Sequence, residues 1–264
     1  MPLSDSAELT GSLKTLLLRG LLAGLIAGLL AGTVGFFIGE PKINAAIAIE
    51  EAQSQPATDG HSHESTETGG HSHGDEEEPL VSRTGQKFGL FLALSLAGLA
   101  LGAIYAVAAN VARRYTTMSG TKLALGLAAG GWVAYTLVPF FKYPANPPAV
   151  GDPETITDRT WLWFASVLLG FAAVGVGVYV YKLLEKQLDT VRFIGGVAAF
   201  VLVVAIGYIA LPGVNEVKSD FPATLLWEFR VSSLAQTATL WIALGLAFAA
   251  LTEFATRDRA QALS

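Results

Sequence analysis

The stretch Gly20-Leu21-Leu22-Ala23-Gly24-Leu25-Ile26-Ala27-Gly28-Leu29-Leu30-Ala31-Gly32 decides the fold. It opens a run without a charged residue that reaches Gly39. A hydrocarbon core of about 30 Å needs roughly 20 apolar residues in a helix. A helix is required because lipid cannot satisfy backbone N–H and C=O groups. Glycine recurs at 20, 24, 28 and 32, with Ala23, Ala27 and Ala31 beside it. Residues four apart share a helix face, so this face is nearly flat and admits another backbone closely. Such a stripe serves either a seam between copies of the chain or tight packing inside one bundle. Gly98 and Gly102, then Gly126 and Gly130, repeat the spacing.

Five more runs of this kind follow, at 88–112, 123–141, 161–181, 193–214 and 231–252. The rest of the chain agrees. Of 264 residues, 52% are hydrophobic and 15% charged, where a soluble domain carries about a quarter. The expected fold is an all-α integral membrane protein. It is a single polytopic domain over residues 1–264, with a bundle of about six transmembrane helices, multi-pass in the cell membrane. The first apolar run exceeds the roughly 7–15 residues of a signal-peptide core. Ala46-Ile47-Ala48 lies too far downstream for a comfortable cleavage site, so an uncleaved first helix is expected. The absence of cysteine excludes disulfides and thiolate metal sites.

Charge between the runs sets a direction. Lys14 and Arg19 precede the first run, Arg113, Arg114 and Lys122 follow the second, Lys182, Lys186 and Arg192 follow the fourth, and Arg257 and Arg259 follow the last. These four segments hold 10 basic and 6 acidic residues, and the other three loops hold 7 and 16. Short Lys/Arg-rich loops stay inside, so both termini are expected in the cytoplasm. Three loops, 40–87, 142–160 and 215–230, then share the outer face.

The first of these loops carries every histidine. Gly60-His61-Ser62-His63-Glu64 is nearly repeated as Gly70-His71-Ser72-His73-Gly74, among Asp59, Glu67 and the acidic run from Asp75 to Glu78. Ser-, Thr- and Gly-rich flanks make residues 41–86 an acidic, His-rich outer loop expected to be disordered without a ligand. Imidazole suits Zn, Cu, Ni and related metals, and short His-rich tracts read as metal-binding. His61, His63, His71 and His73 are therefore candidate ligands, and the picture is a loose collector of ions. No tightly bound cofactor is expected. Geometry is not encoded in the sequence, so the metal stays open here among ions such as Co2+, Ni2+ and Zn2+.

The other two outer loops follow a proline at a span end. Val138-Pro139 leads into Lys142-Tyr143-Pro144-Ala145-Asn146-Pro147-Pro148-Ala149-Val150-Gly151-Asp152-Pro153, whose prolines prevent helix and fix an extended path. Lys142 and Tyr143 suit the headgroup interface. Leu211-Pro212-Gly213-Val214-Asn215-Glu216 ends the fifth run, and Trp227 and Arg230 read as membrane anchors before the sixth. Asn146, Asp152, Asn215 and Glu216, with Glu40 at the end of the first run, are candidate liners of an ion mouth.

No ionisable side chain sits centrally in any run, although many transporters place Asp, Glu or His there as relays. Asn110 and Gln236 lie near span ends. The chain also lacks a G-x-x-x-x-G-K-[ST] phosphate loop, so ATP hydrolysis by that route is excluded. Lys142, Asp152, Glu216 and Arg230 offer acids and bases at the outer face. No nucleophile-plus-base constellation accompanies them, so no enzyme is expected. No basic patch suits nucleic acid.

Several of these residues together resemble a known family. Arg19-Gly20-Leu21-Leu22-Ala23-Gly24, Gly39-Glu40-Pro41, Ala46-Ile47 with Glu50, the His-x-His loop and Leu80-Val81-Ser82-Arg83 are similar to CbtA-type proteins, a family of predicted cobalt transporter subunits. The most specific matches are the segment from Lys142 to Pro153 and Leu211-Pro212-Gly213-Val214-Asn215-Glu216. The likeness runs from Lys14 to Phe254. It implies cobalt uptake for cobalamin synthesis, and pairing with a small, single-span, histidine-bearing subunit. Two readings stay open: a metal transporter subunit whose outer loop collects the ion, and a non-conducting accessory subunit of a transport complex. The lipid bilayer is the certain partner in both, and a homo-oligomer through the glycine stripe is the further possibility.

Overall fold

The computed structural model describes residues 9–54 and 82–262, and every regular element among them is helical. The four histidines lie outside the described residues. The helices are α1 (Leu13–Val34), α2 (Glu40–Ser54), α3 (Arg83–Ala112), α4 (Gly120–Trp132), α5 (Val138–Lys142), α6 (Ile156–Leu183), α7 (Asp189–Ala210) and α8 (Ala223–Ala262). Six helical stretches are long and apolar enough to cross a membrane. Two of these are composite, α1 with α2 and α4 with α5.

Local chemistry starts and stops these helices. Ser12, Ser82 and Ser119 cap α1, α3 and α4, each side chain accepting a backbone N–H three residues on. The fifth apolar run is expected to reach residue 214, but α7 stops at Ala210. Leu211 precedes Pro212 and is extended, at φ −81° and ψ 133°, because the proline ring disfavours helical geometry in the residue before it.

Two other prolines are passed without a break. Pro41 and Pro139 each lie two residues beyond a single wide, π-helical turn, Gly35–Gly39 and Val133–Leu137. Glu40 N–H donates to Gly35 O, and Val138 N–H to Val133 O, each spanning five residues. A proline ring clashes with the carbonyl four residues back, and the wider turn lets the helix continue.

The glycine stripe settles inside one chain. A Cβ at Gly24 would overlap the carbonyl of Gly98, and one at Gly20 the carbonyl of Gly102. The relation is mutual, so α1 and α3 lie backbone to backbone. In span three the spacing misleads. Gly126 meets nothing within 4 Å, and the crowded position is Gly131, against Trp241 of α8. Leu16, Tyr105, Leu244 and Phe248 are buried where α1, α3, α4 and α8 meet. α7 stands apart. It packs mainly on α6, crossing at Gly177 and Gly196, and Gly196 is its one buried residue.

One end of the bundle, carrying Glu40, Lys142 and Glu216, is roofed. The unbroken helix Leu13–Gln53 has 41 residues, about 60 Å and twice the hydrocarbon thickness. Residues 41–54, expected within a disordered loop, are therefore helix, and Ala46 is fully buried against Val150, Phe221 and Leu226. Outside lipid the hydrophobic effect operates again, and burying each larger side chain stabilises the roof by about 1.5–3 kcal/mol. Lys42 pairs with Glu228, and Gln53 Nε2 donates to Asp220 Oδ2 at 3.4 Å.

Candidate functional site

At this end of the bundle a cleft of about 430 Å3 opens between α5 and its wide turn, α6, α8, and the loops around Asn146 and Glu216. Its floor is made by chain that lies within the spans, at Tyr135, Thr136, Trp163 and Thr237. Thr136 Oγ1 is buried without a hydrogen-bond partner, as is Trp132 Nε1 nearby in sequence.

Glu216 is the central acid. Its side chain is only 8% exposed. Thr155 Oγ1 donates to Oε1. Arg159 Nη1 stands 2.8 Å from Oε2, but out of hydrogen-bond alignment, so Oε2 is buried with charge compensation and no donor. Burying a carboxylate costs several kcal/mol unless it is paired, and Arg159 supplies the pairing. The turn Val150-Gly151-Asp152 makes room for it. Gly151 has φ 126°, and a Cβ there would lie 2.7 Å from Arg159 Nη1. Asp152 supports the cradle from behind. Its Oδ1 accepts Glu154 N–H at 2.9 Å, and its carbonyl accepts Thr155 N–H at 3.1 Å and Oγ1 at 2.9 Å.

The opposite wall is tied by Arg230. Its Nε donates to Ala145 O at 3.3 Å and its Nη2 to Asn146 Oδ1 at 3.0 Å. Sequence made Arg230 a headgroup anchor; in the fold it faces the cleft and clamps the proline-rich loop. Lys142 and Tyr143 differ in the same way. Lys142 Nζ donates to Tyr208 O at 2.9 Å, and Tyr143 Oη to Pro212 O at 2.7 Å, so both pin α5 to the end of α7. Burial pushes the Tyr143 phenol above its usual range, which keeps it a donor. Trp227 stays 66% exposed, as an anchor does.

Of the five residues expected at an ion mouth, Asn146, Asn215 and Glu216 line this cleft, and Asp152 shapes it from the loop. Glu40 sits elsewhere in the roof, 6% exposed, paired with Arg83 Nη2 at 2.7 Å, and Arg83 also donates to Asn44. Asn110, near a span end, accepts from Arg113 Nη2 at 2.7 Å. Arg159 was missed by sequence reasoning. Its one signal was position, a cation beside Asp152, Glu154 and Asp158 just before a span. Among the described residues no three acidic or imidazole groups gather to hold a metal ion. The cleft instead offers scattered oxygen atoms, with Glu216 paired to Arg159, beside a second guanidinium, Arg230.

Comparison with known proteins adds one match. A family described as probable cobalt transporter subunit (CbtA) matches residues 13–253, nearly the whole chain. No curated protein and no solved structure matches it.

Proposed function

This chain belongs to the CbtA family of probable cobalt transporter subunits, and we propose that it admits Co2+ for cobalamin synthesis through the cleft at Glu216. It is a multi-pass membrane protein. The observation that carries the reading is the buried Glu216 carboxylate, paired with Arg159 and lining a cleft at the end of the bundle where acidic loops predominate. A cation entering the cleft competes for this carboxylate with the Arg159 guanidinium, 2.8 Å away. The His61/His63 and His71/His73 pairs act above it as a loose collector, raising the local ion concentration. Asn146 and Asn215 add carbonyl oxygens, and Asp152 keeps the cradle in shape. A small, single-span, histidine-bearing subunit completes the complex, and the largely unburied α7 offers it a surface.

Replacing Glu216 with alanine is expected to abolish cobalt accumulation in cells while expression stays normal; unchanged accumulation sinks the reading. For the collector, calorimetric titration of a peptide spanning residues 58–78 is expected to give heat with Co2+ at neutral pH. The heat should fade below about pH 6 as imidazoles with pKa near 6.5 take up protons. A second reading, a non-conducting accessory subunit, is favoured by the lack of charge in the middle of every apolar run. Cobalt flux through the purified chain alone in liposomes separates the two.

A further inference from the structure

The charge of the cleft does not suit a bare dication. Two guanidiniums, Arg159 and Arg230, face it with one carboxylate, Glu216. Arg159 is matched to Glu216. Arg230 has no carboxylate partner among the described residues. It spends one N–H on Ala145 O and one on Asn146 Oδ1, and a guanidinium carries five. Asp152 and Glu154 stand on the neighbouring loop and Asp158 in the first turn of α6, all outside the lining. An uncompensated positive charge therefore sits within the proposed mouth.

Size and donors point the same way. About 430 Å3 is far more than one ion fills, and falls in the range of sites for small organic molecules, about 300–1,000 Å3. Aromatic walls at Tyr135 and Trp163, with hydroxyls at Thr160 and Thr237, are the mixed lining such molecules use. Divalent transition metals take about four or more ligands, and no three acidic or imidazole groups meet here among the described residues. A metal that arrives with most of its ligand shell filled needs only one or two donors from the protein.

We infer that the cleft takes the metal as a chelate of a small polycarboxylate, with a carboxylate arm on Arg230 and the metal on the side of the cleft that Glu216 lines. Arginine matches the planar fork of a carboxylate, and the chelator fills the ligand shell that the cleft leaves short. The inference rests on the reading of this cleft as the mouth for the metal, and it names the form in which the metal enters.

The test uses the purified full-length chain and three titrants: citrate alone, Co2+ alone, and the one-to-one cobalt–citrate complex. The complex is expected to bind more tightly than either component. Arg230→Gln should weaken it at least about tenfold, the loss of a charged hydrogen bond, and Arg230→Lys should recover part of that. Helical circular dichroism and elution volume check that the variants fold; should they not, the order of the three titrants on the native chain decides. Tighter binding of free Co2+ than of the complex, persisting when His61, His63, His71 and His73 are changed to alanine, overturns the inference. A second arm follows cobalt uptake into liposomes as citrate is raised at constant total cobalt. Uptake that tracks the complex supports the inference. Uptake that tracks only free Co2+ overturns it and leaves the transport reading standing. Binding of the complex without uptake in any form does the reverse.

Discussion

At the scale of single residues, the turn beside Glu216 is where strain and function meet. Gly151 adopts φ 126°, a conformation that side chains resist, and faces Arg159 Nη1. Gly151→Ala is expected to cost about 1–3 kcal/mol and to displace Arg159 from Glu216. A thermal melt, read with the cobalt accumulation of the variant, checks both parts. Two residues earlier, Ala149 holds φ 66°, where a Cβ costs roughly 1–2 kcal/mol. Ala149→Gly should therefore melt no lower than the native chain. Asn146, Asn215 and Glu216 were legible because each follows a proline-marked span end, where oxygen-bearing side chains have no packing to do. Arg159 was not legible. An arginine just before an apolar run reads as a headgroup anchor, and only the fold brings it to Glu216. The same bias hid the roles of Lys142 and Tyr143, which donate to backbone carbonyls, and of Arg230, which donates to Ala145 O and Asn146 Oδ1.

At the scale of elements, the six apolar runs were readable because lipid imposes one backbone solution on each. Their close contacts were readable only in part. Four-residue glycine spacing located the α1–α3 seam, yet it also marked Gly126, which touches nothing, and passed over Gly131, which meets Trp241. Spacing identifies a flat face without saying which neighbour uses it. The contrast gives a paired expectation. Gly24→Ala should destabilise the bundle by about 1–3 kcal/mol through overlap with Gly98 O. Gly126→Ala, in open space, should be neutral or gain up to about 1 kcal/mol from helix propensity. Thermal unfolding of the two variants in detergent, side by side, is the measurement. The helix over residues 41–54 was missed because a charged, polar run after a span reads as loop. Its stability comes from distant partners, Val150, Phe221 and Leu226, which no local pattern reveals.

At the scale of the molecule, charge asymmetry predicts which end faces out, and the absence of cysteine makes that expectation simple to check. Ser219→Cys should react with a membrane-impermeant maleimide on intact cells, and Thr117→Cys only after lysis; the opposite pattern would invert the orientation. The helix count and the cleft together describe a vestibule set over a closely packed frame. The two wide turns before Pro41 and Pro139 give that frame a property of its own. A π-helical turn interrupts the regular ladder of backbone bonds, and each proline removes one amide more. Residues 35–40 and 133–138 are thus the points where two otherwise continuous helices can breathe. Deuterium should enter their amides faster than those of the residues on either side, and the second of these soft points lies in the wall of the cleft itself.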